Sequence, residues 1–279
     1  MSYHTMYNNV MQHDTWQKQT KQPLFPELEW NKPERRDQAG RLLVIGGSSH
    51  ALSAPANAYQ QSRKLGIGDV KVALPDSTRR LIDKSAVDAA FLPSTPSGEF
   101  SRDGEQELLD YASWADTLLF AGDVGRNSQT TILLESIVRS FSGQIVCTKD
   151  AIDSLLLQPN VLFERESTTL VVSFGQLQKL LKNYSYLYPL SFSMELAQLA
   201  EYLHVLSKKI KCSLVTLHNN QYIVAHNGTI VTTKIASDTE PKIWRLSTAV
   251  AASCYQTWNP TKPLEALTQA VYQTSNFSV

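Results

Sequence analysis

Residues 41–55, RLLVIGGSSHALSAP, decide how this chain is read. Leu42, Leu43, Val44 and Ile45 form a short apolar run of the kind a strand covered on both faces needs. Gly46 and Gly47 follow, and without a Cβ they let the chain turn at positive φ and let another group approach the backbone. Ser53 is placed to cap a helix that starts near Ala54 and Pro55, where a proline's missing N–H does no harm. Strand, glycine turn and helix N-terminus in this order predict an anion site, because free N–H groups and the positive end of the helix dipole point the same way.

The same alternation continues downstream. Helix 54–65 ends at Gly66, which predicts a left-handed cap. Strand 69–75 leads to a helix around 77–85, and helix 104–114 leads to strand 117–122. Helix 128–140 precedes strand 144–148, and strand 168–173 precedes a helix carrying GQLQKLLK. Helix 193–208 has an apolar stripe of Met194, Leu196, Leu199, Leu203 and Leu206. Asn227 and Gly228, between two alternating apolar runs, predict a two-residue hairpin. Helices 244–258 and 263–273 close the chain.

Apolar strands alternating with helices predict an α/β fold with a mostly parallel sheet covered on both faces. Ligands in such sheets lie outside the carboxyl ends of the strands, where the turns at 46–47 and 122–125 fall. Residues 1–36 lack this periodicity and carry Pro23, Pro26 and Pro33. They are expected to form an arm, packed on the domain or on a neighbouring subunit of a homo-oligomer, with one domain over 37–279.

Composition excludes several classes. The 279 residues include 26 basic and 26 acidic side chains, a balance that gives no support for nucleic acid or an anionic membrane as main partner. Lys208, Lys209 and Lys211 read as a solvated helix end. The three cysteines, Cys147, Cys212 and Cys254, lie far apart, so neither a disulfide framework nor a zinc site is expected and a reducing cytoplasm fits. The first forty residues contain no signal-peptide core, and no run approaches the ~18 apolar residues of a membrane span. A small-molecule ligand is the expected partner.

Individual side chains leave alternatives open. In AGDVGRN, Asp123 and Arg126 either position a substrate or pair with each other at a helix start. Asp150 either meets a ligand or metal-bound water, or stabilises helix 150–157 through its dipole. His218 and His226 lack a third ligand at metal spacing and read as surface residues, so no protein-held metal is expected. PSTPSGEFSRDG is a lid over the site or a connector. Ser247 and Thr248 read as the cap of a helix over 249–258.

The order of parallel core, late hairpin and closing helices resembles the ribokinase-like fold, a three-layer α/β/α sandwich. The stretch 40–76 is more specific: it resembles the first segment of the ATP- or ADP-dependent NAD(P)H-hydrate dehydratases. Ser53, Ala54 and Pro55 stand for that family's Gly-Ala-Pro, and Gly66-Ile67-Gly68 keeps its Gly-x-Gly strand entry. AGDVGRN resembles the Gly-Pro-Gly-Leu-Gly turn, with Gly125 and Arg126 in place. TKDAI resembles Asp-Ala-Asp-Ala-Leu, keeping the second acid as Asp150, and PLEALTQAVY resembles the final helix.

The resemblance implies substrate contacts at Gly46, Gly47, Ala54, Gly125, Arg126, Asp150 and Ser173, the last at the position of the family's substrate histidine. It implies nucleotide contacts at His218, Asn219, Asn220, Gln221 and Tyr222, with His218 replacing the family's lysine. ATP or ADP, with Mg, is the implied cofactor. The family's Gly-x-Gly-Asp falls on Trp244, Arg245, Leu246 and Ser247, so Leu246 stands at a nucleotide-binding backbone position and Ser247 at that of the general base. A serine cannot hold a proton at neutral pH. Residues 239–258 contain neither Gly nor Asp; Asp238 and Glu240, just ahead, are the available substitute acids. Two readings follow: a divergent dehydratase or small-molecule kinase using other acids, and a non-catalytic nucleotide-binding protein.

Overall fold

The computed structural model describes residues 15–83, 87–186, 188–235 and 244–275. Its centre is one ten-stranded sheet. In chain order the strands are β1 (Trp16–Gln19), β2 (Arg41–Gly46), β3 (Asp69–Pro75), β4 (Ala89–Leu92), β5 (Thr117–Gly122), β6 (Gln144–Thr148), β7 (Thr168–Val172), β8 (Ser213–His218), β9 (Gln221–His226) and β10 (Thr229–Lys234). Across the sheet they lie in the order β1-β10-β9-β8-β7-β6-β5-β2-β3-β4. Only β9 runs against its neighbours, through the hairpins that join it to β8 and β10. The expected mostly parallel sheet with a late hairpin is present.

Period-two alternation sorts the strand side chains onto two faces. Leu43, Ile45, Leu118, Phe120, Ile145, Cys147, Leu170 and Val172 face one buried cluster. Six helices supply the rest of that cluster: α2 (Glu105–Trp114), α3 (Ser128–Ser140), α4 (Lys149–Ser154), α5 (Pro159–Phe163), α6 (Phe174–Asn183) and α7 (Leu196–Ser207). Leu42, Val44, Leu119, Ala121, Val146, Val171 and Val215 face the other, closed by α1 (Ser53–Leu65), α8 (Trp244–Trp258) and α9 (Pro263–Ser275). The three-layer sandwich follows from these two apolar faces.

Local expectations are met or corrected by identifiable contacts. Gly66 ends α1 in the left-handed region (φ 95). The Asn227-Gly228 turn forms, with φ 44 and 79. The helix expected around 77–85 is instead a single 3-10 turn, Asp76–Thr78, with Thr78 Oγ1 donating to the Pro75 carbonyl. Downstream lies β4, four residues too short to carry a strand pattern. Helix α8 begins at Trp244, so Ser247 and Thr248 sit inside its first turns and do not cap a helix starting at 249. Within the segment expected as an arm, Trp16–Gln19 are tied into the sheet: β1 pairs with β10 in parallel, Trp16 opposite Ile230.

Candidate functional site

The carboxyl ends of β2, β5, β6, β7 and β8 lie along one edge of the sheet, and each delivers a residue singled out above. Gly46 and Gly122 are register partners, and the Gly47 N–H donates to the Gly122 carbonyl at 3.0 Å. A Cβ on Gly46 would stand 2.5 Å from that same carbonyl oxygen, so only glycine permits the approach. The two glycine turns are therefore one structure.

The helix start they frame is occupied from within. The N-cap position of α1 is Leu52, with no side-chain cap, and Ser53 lies in the first turn. The expected Ser53 cap is replaced by Asp123, which reaches across from the β5 turn. Its Oδ2 accepts the Ala54 N–H at 2.6 Å and the Ser53 hydroxyl at 3.1 Å. Its Oδ1 accepts Lys149 Nζ at 2.8 Å. Burial alone would raise the Asp123 pKa, but Lys149, the Ala54 N–H and Ser53 together hold it below the ordinary carboxylate value. Asp123 thus pairs with Lys149, not with Arg126, whose residue is exposed. Both members of the pair have left-handed backbones, Asp123 at φ 60 and Lys149 at φ 54.

Three further N–H groups of the β5 turn are also committed. Asp150 Oδ1 accepts the Asp123 N–H at 2.6 Å, and its Oδ2 accepts the Gly125 N–H at 3.3 Å. Glu99 Oε1 accepts the Arg126 N–H at 2.9 Å, while its Oε2 accepts the Ser97 hydroxyl at 3.0 Å. The polar loop around 93–101 is thereby fastened to the turn, and it is fastened again where the Ser49 N–H donates to the Gly98 carbonyl at 2.9 Å. Three carboxylates, Asp123, Asp150 and Glu99, hold four backbone N–H groups, those of Ala54, Asp123, Gly125 and Arg126.

Farther along the edge the chemistry changes. Ser173 caps α6, with Gln176 closing a capping box. Gln176 Nε2 donates to the Lys149 carbonyl at 2.7 Å, and Arg245 from the first turn of α8 donates to Gln176 Oε1 at 2.9 Å. His218 is buried and not at the surface: its ring stacks on Phe174 with centroids 4.6 Å apart, and Phe192 packs on Phe174 at 4.5 Å. His218 Nε2 donates to the Met194 carbonyl at 3.0 Å, which fixes the proton on that nitrogen because a carbonyl can only accept. His226 is half-buried beside the Ser213 hydroxyl, and burial lowers its pKa.

Asn219 and Asn220 form the two-residue turn between β8 and β9, at φ 48 and 56. Gln221 and Tyr222 begin β9; Tyr222 is buried against α8 and α9, hydrogen-bonded to Thr248 and Thr274, and burial raises its phenol. Leu246 is buried in the same apolar layer, and Ser247 beside it is half-buried. Asp238 and Glu240 lie outside the described residues.

The sequence-predicted residues therefore separate into two groups. Gly46, Gly47, Ala54, Gly125 and Asp150 meet around Asp123, while His218 and Tyr222 are held in packed layers at the other end. Lys149, Glu99 and Arg245 were missed; lysine after a strand end, or glutamate in a polar loop, carries no local signal of this pairing. Among the described residues no three His, Cys, Asp or Glu side chains converge as a metal site. Asp123 and Asp150 point their oxygens at N–H and ammonium donors, so their arrangement does not fit a Mg ion. Among the described residues no helix is long and apolar enough to cross a membrane.

No family model matches the chain. It is 28% identical over 125 residues to the bifunctional NAD(P)H-hydrate repair enzyme of Moorella thermoacetica, a match covering 44% of this chain and 24% of that protein. The match thus spans about a quarter of the length of that relative. Among solved structures, a ribokinase-like superfamily protein from Enterococcus faecalis superposes with a TM-score of 0.70 at 17% identity, over 93% of this chain and 86% of that one. The ADP/ATP-dependent NAD(P)H-hydrate dehydratase of Bacillus subtilis, co-crystallised with ATP/Mg2+, superposes with a TM-score of 0.61 at 13% identity, over 91% and 87%. The solved structures show a ribokinase-like fold for this chain, and part of its sequence is similar to an NAD(P)H-hydrate repair enzyme.

Proposed function

We propose that this protein binds a nucleotide or hydrated nicotinamide dinucleotide at the carboxyl ends of β2, β5 and β6 and does not carry out the family's dehydration. One observation carries the reading: where the family places a glycine-flanked carboxylate, this chain has buried Leu246 and then Ser247 within a continuous helix. A general base is worth about 10²–10⁴ in rate, and a serine hydroxyl cannot hold the proton that a carboxylate takes at neutral pH. The joined glycine turns favour a retained ligand cleft, since backbone approach of this kind serves recognition independently of proton transfer. The ATP/Mg2+ in the Bacillus subtilis structure supports trying adenine nucleotides first.

A cytoplasmic setting belongs to the same proposal. Burial pushes the Cys147 and Cys254 thiols up to about 12, as suits inert structural cysteines.

Calorimetry of the full chain against ATP, ADP, NADH and hydrated NADH, followed by a turnover assay, tests the reading. Binding without turnover is expected. Turnover at a rate lost in D238N or E240Q would overturn the non-catalytic half, and no binding of any of the four would overturn the other half.

A further inference from the structure

We infer that the Asp123 carboxylate occupies the place an anionic ligand group would take at the start of α1, so that Asp123 decides which charge this corner of the cleft accepts. Three donors from two separate parts of the chain converge on it: the adjacent Ser53 hydroxyl and Ala54 N–H, and Lys149 Nζ. A helix N-terminus with an ammonium beside it is a donor set suited to a phosphate or carboxylate. Here both oxygens of one side chain satisfy it. The neighbouring N–H groups of Asp123, Gly125 and Arg126 are held by Asp150 and Glu99, so the turn presents no alternative anion slot through them.

The consequence is a substrate class. An incoming phosphate would meet the negative charge of Asp123 at close range and find its donors taken. An uncharged group that donates a hydrogen bond, such as a hydroxyl or carboxamide, meets no such opposition. This deepens the ligand-cleft reading and rests on it: the part of the ligand that reaches Asp123 is its uncharged end, and its phosphates lie elsewhere along the sheet edge.

Replacing Asp123 supplies the test. Its backbone at φ 60 suits glycine and asparagine, so D123G and D123N are expected to fold. Phosphate binding to the full-length proteins is followed by phosphorus NMR and by thermal shift, with chloride at matched ionic strength. The unmodified chain is expected to show no saturable phosphate binding. D123G is expected to bind phosphate at least about tenfold more tightly, as an anion freed to use the helix start and Lys149 should. D123N should move in the same direction by less, and the double variant D123G/K149Q should lose the gain. If folded D123G and D123N bind phosphate no better than the unmodified chain, or if the K149Q change leaves the gain intact, the inference fails. Calorimetry of the unmodified chain with whole nucleotides tests the cleft separately, so either failure can be told from the other.

Discussion

The two halves of the strand-end edge use opposite physics. Around β2 and β5, backbone groups approach to contact distance and carboxylates hold their N–H groups, so the region is tight, polar and rich in carboxylates. Around β7 and β8, Phe174, His218 and Phe192 stack, and Leu246 closes the opposite layer. The first half is held by close backbone approach and carboxylate contacts, while the second is filled with packed side chains. One row of strand ends can therefore be joined by polar turns at one end and packed as core at the other.

Three substitutions would break or sharpen this contrast. The largest effect is expected for G46A, because the new Cβ would meet the Gly122 backbone, which cannot swing aside as a flexible side chain could. A loss of about 2–3 kcal/mol by urea denaturation is expected. A loss under about 0.5 kcal/mol would show that the glycine turns are not locked together.

H218A addresses the second half. It removes the ring stacked on Phe174 and leaves the Met194 carbonyl without its donor. A loss of about 1–3 kcal/mol is expected. Unchanged stability together with weakened nucleotide binding would make His218 a ligand contact instead of a packing group.

D123N should have the smallest effect, about 1 kcal/mol near neutral pH. The folded pKa of Asp123 is lowered from 3.8, so its contribution is complete above that value and is lost as pH falls through the lower folded value. The gap between D123N and the unmodified chain should accordingly close below pH 3.8. A gap that persists there in urea titrations would mean that shape, not charge, holds the plug.

Much of the fold was legible because it rests on local pattern. Runs such as 42–45 and 118–121 announce buried strands, and Gly66 and Asn227-Gly228 punctuate them. What was not legible depends on distant partners. β1, with the sequence WQKQ, has no apolar alternation; Gln19 holds it by donating to Thr233 Oγ1 and to the Thr268 carbonyl. Ser53 has the propensity of a cap, yet Asp123, 70 residues away, takes the role because its charge satisfies more donors. Asn219 and Asn220 carry a weaker turn signal than Asn227-Gly228, although both take positive φ here.

The parallel pairing of β1 with β10 has a consequence for the order in which the molecule assembles. Trp16 waits for Ile230, so β1, which precedes every other described strand in the sequence, is among the last to find its neighbour. During synthesis most of the chain emerges before the strand has anything to pair with, and loop-closure entropy delays the pairing further. Until β1 arrives, β10 offers a row of unpaired N–H and carbonyl groups to any passing extended segment. β1 is thus a late-fitted guard for the edge of β10, and its docking marks the end of folding rather than its beginning.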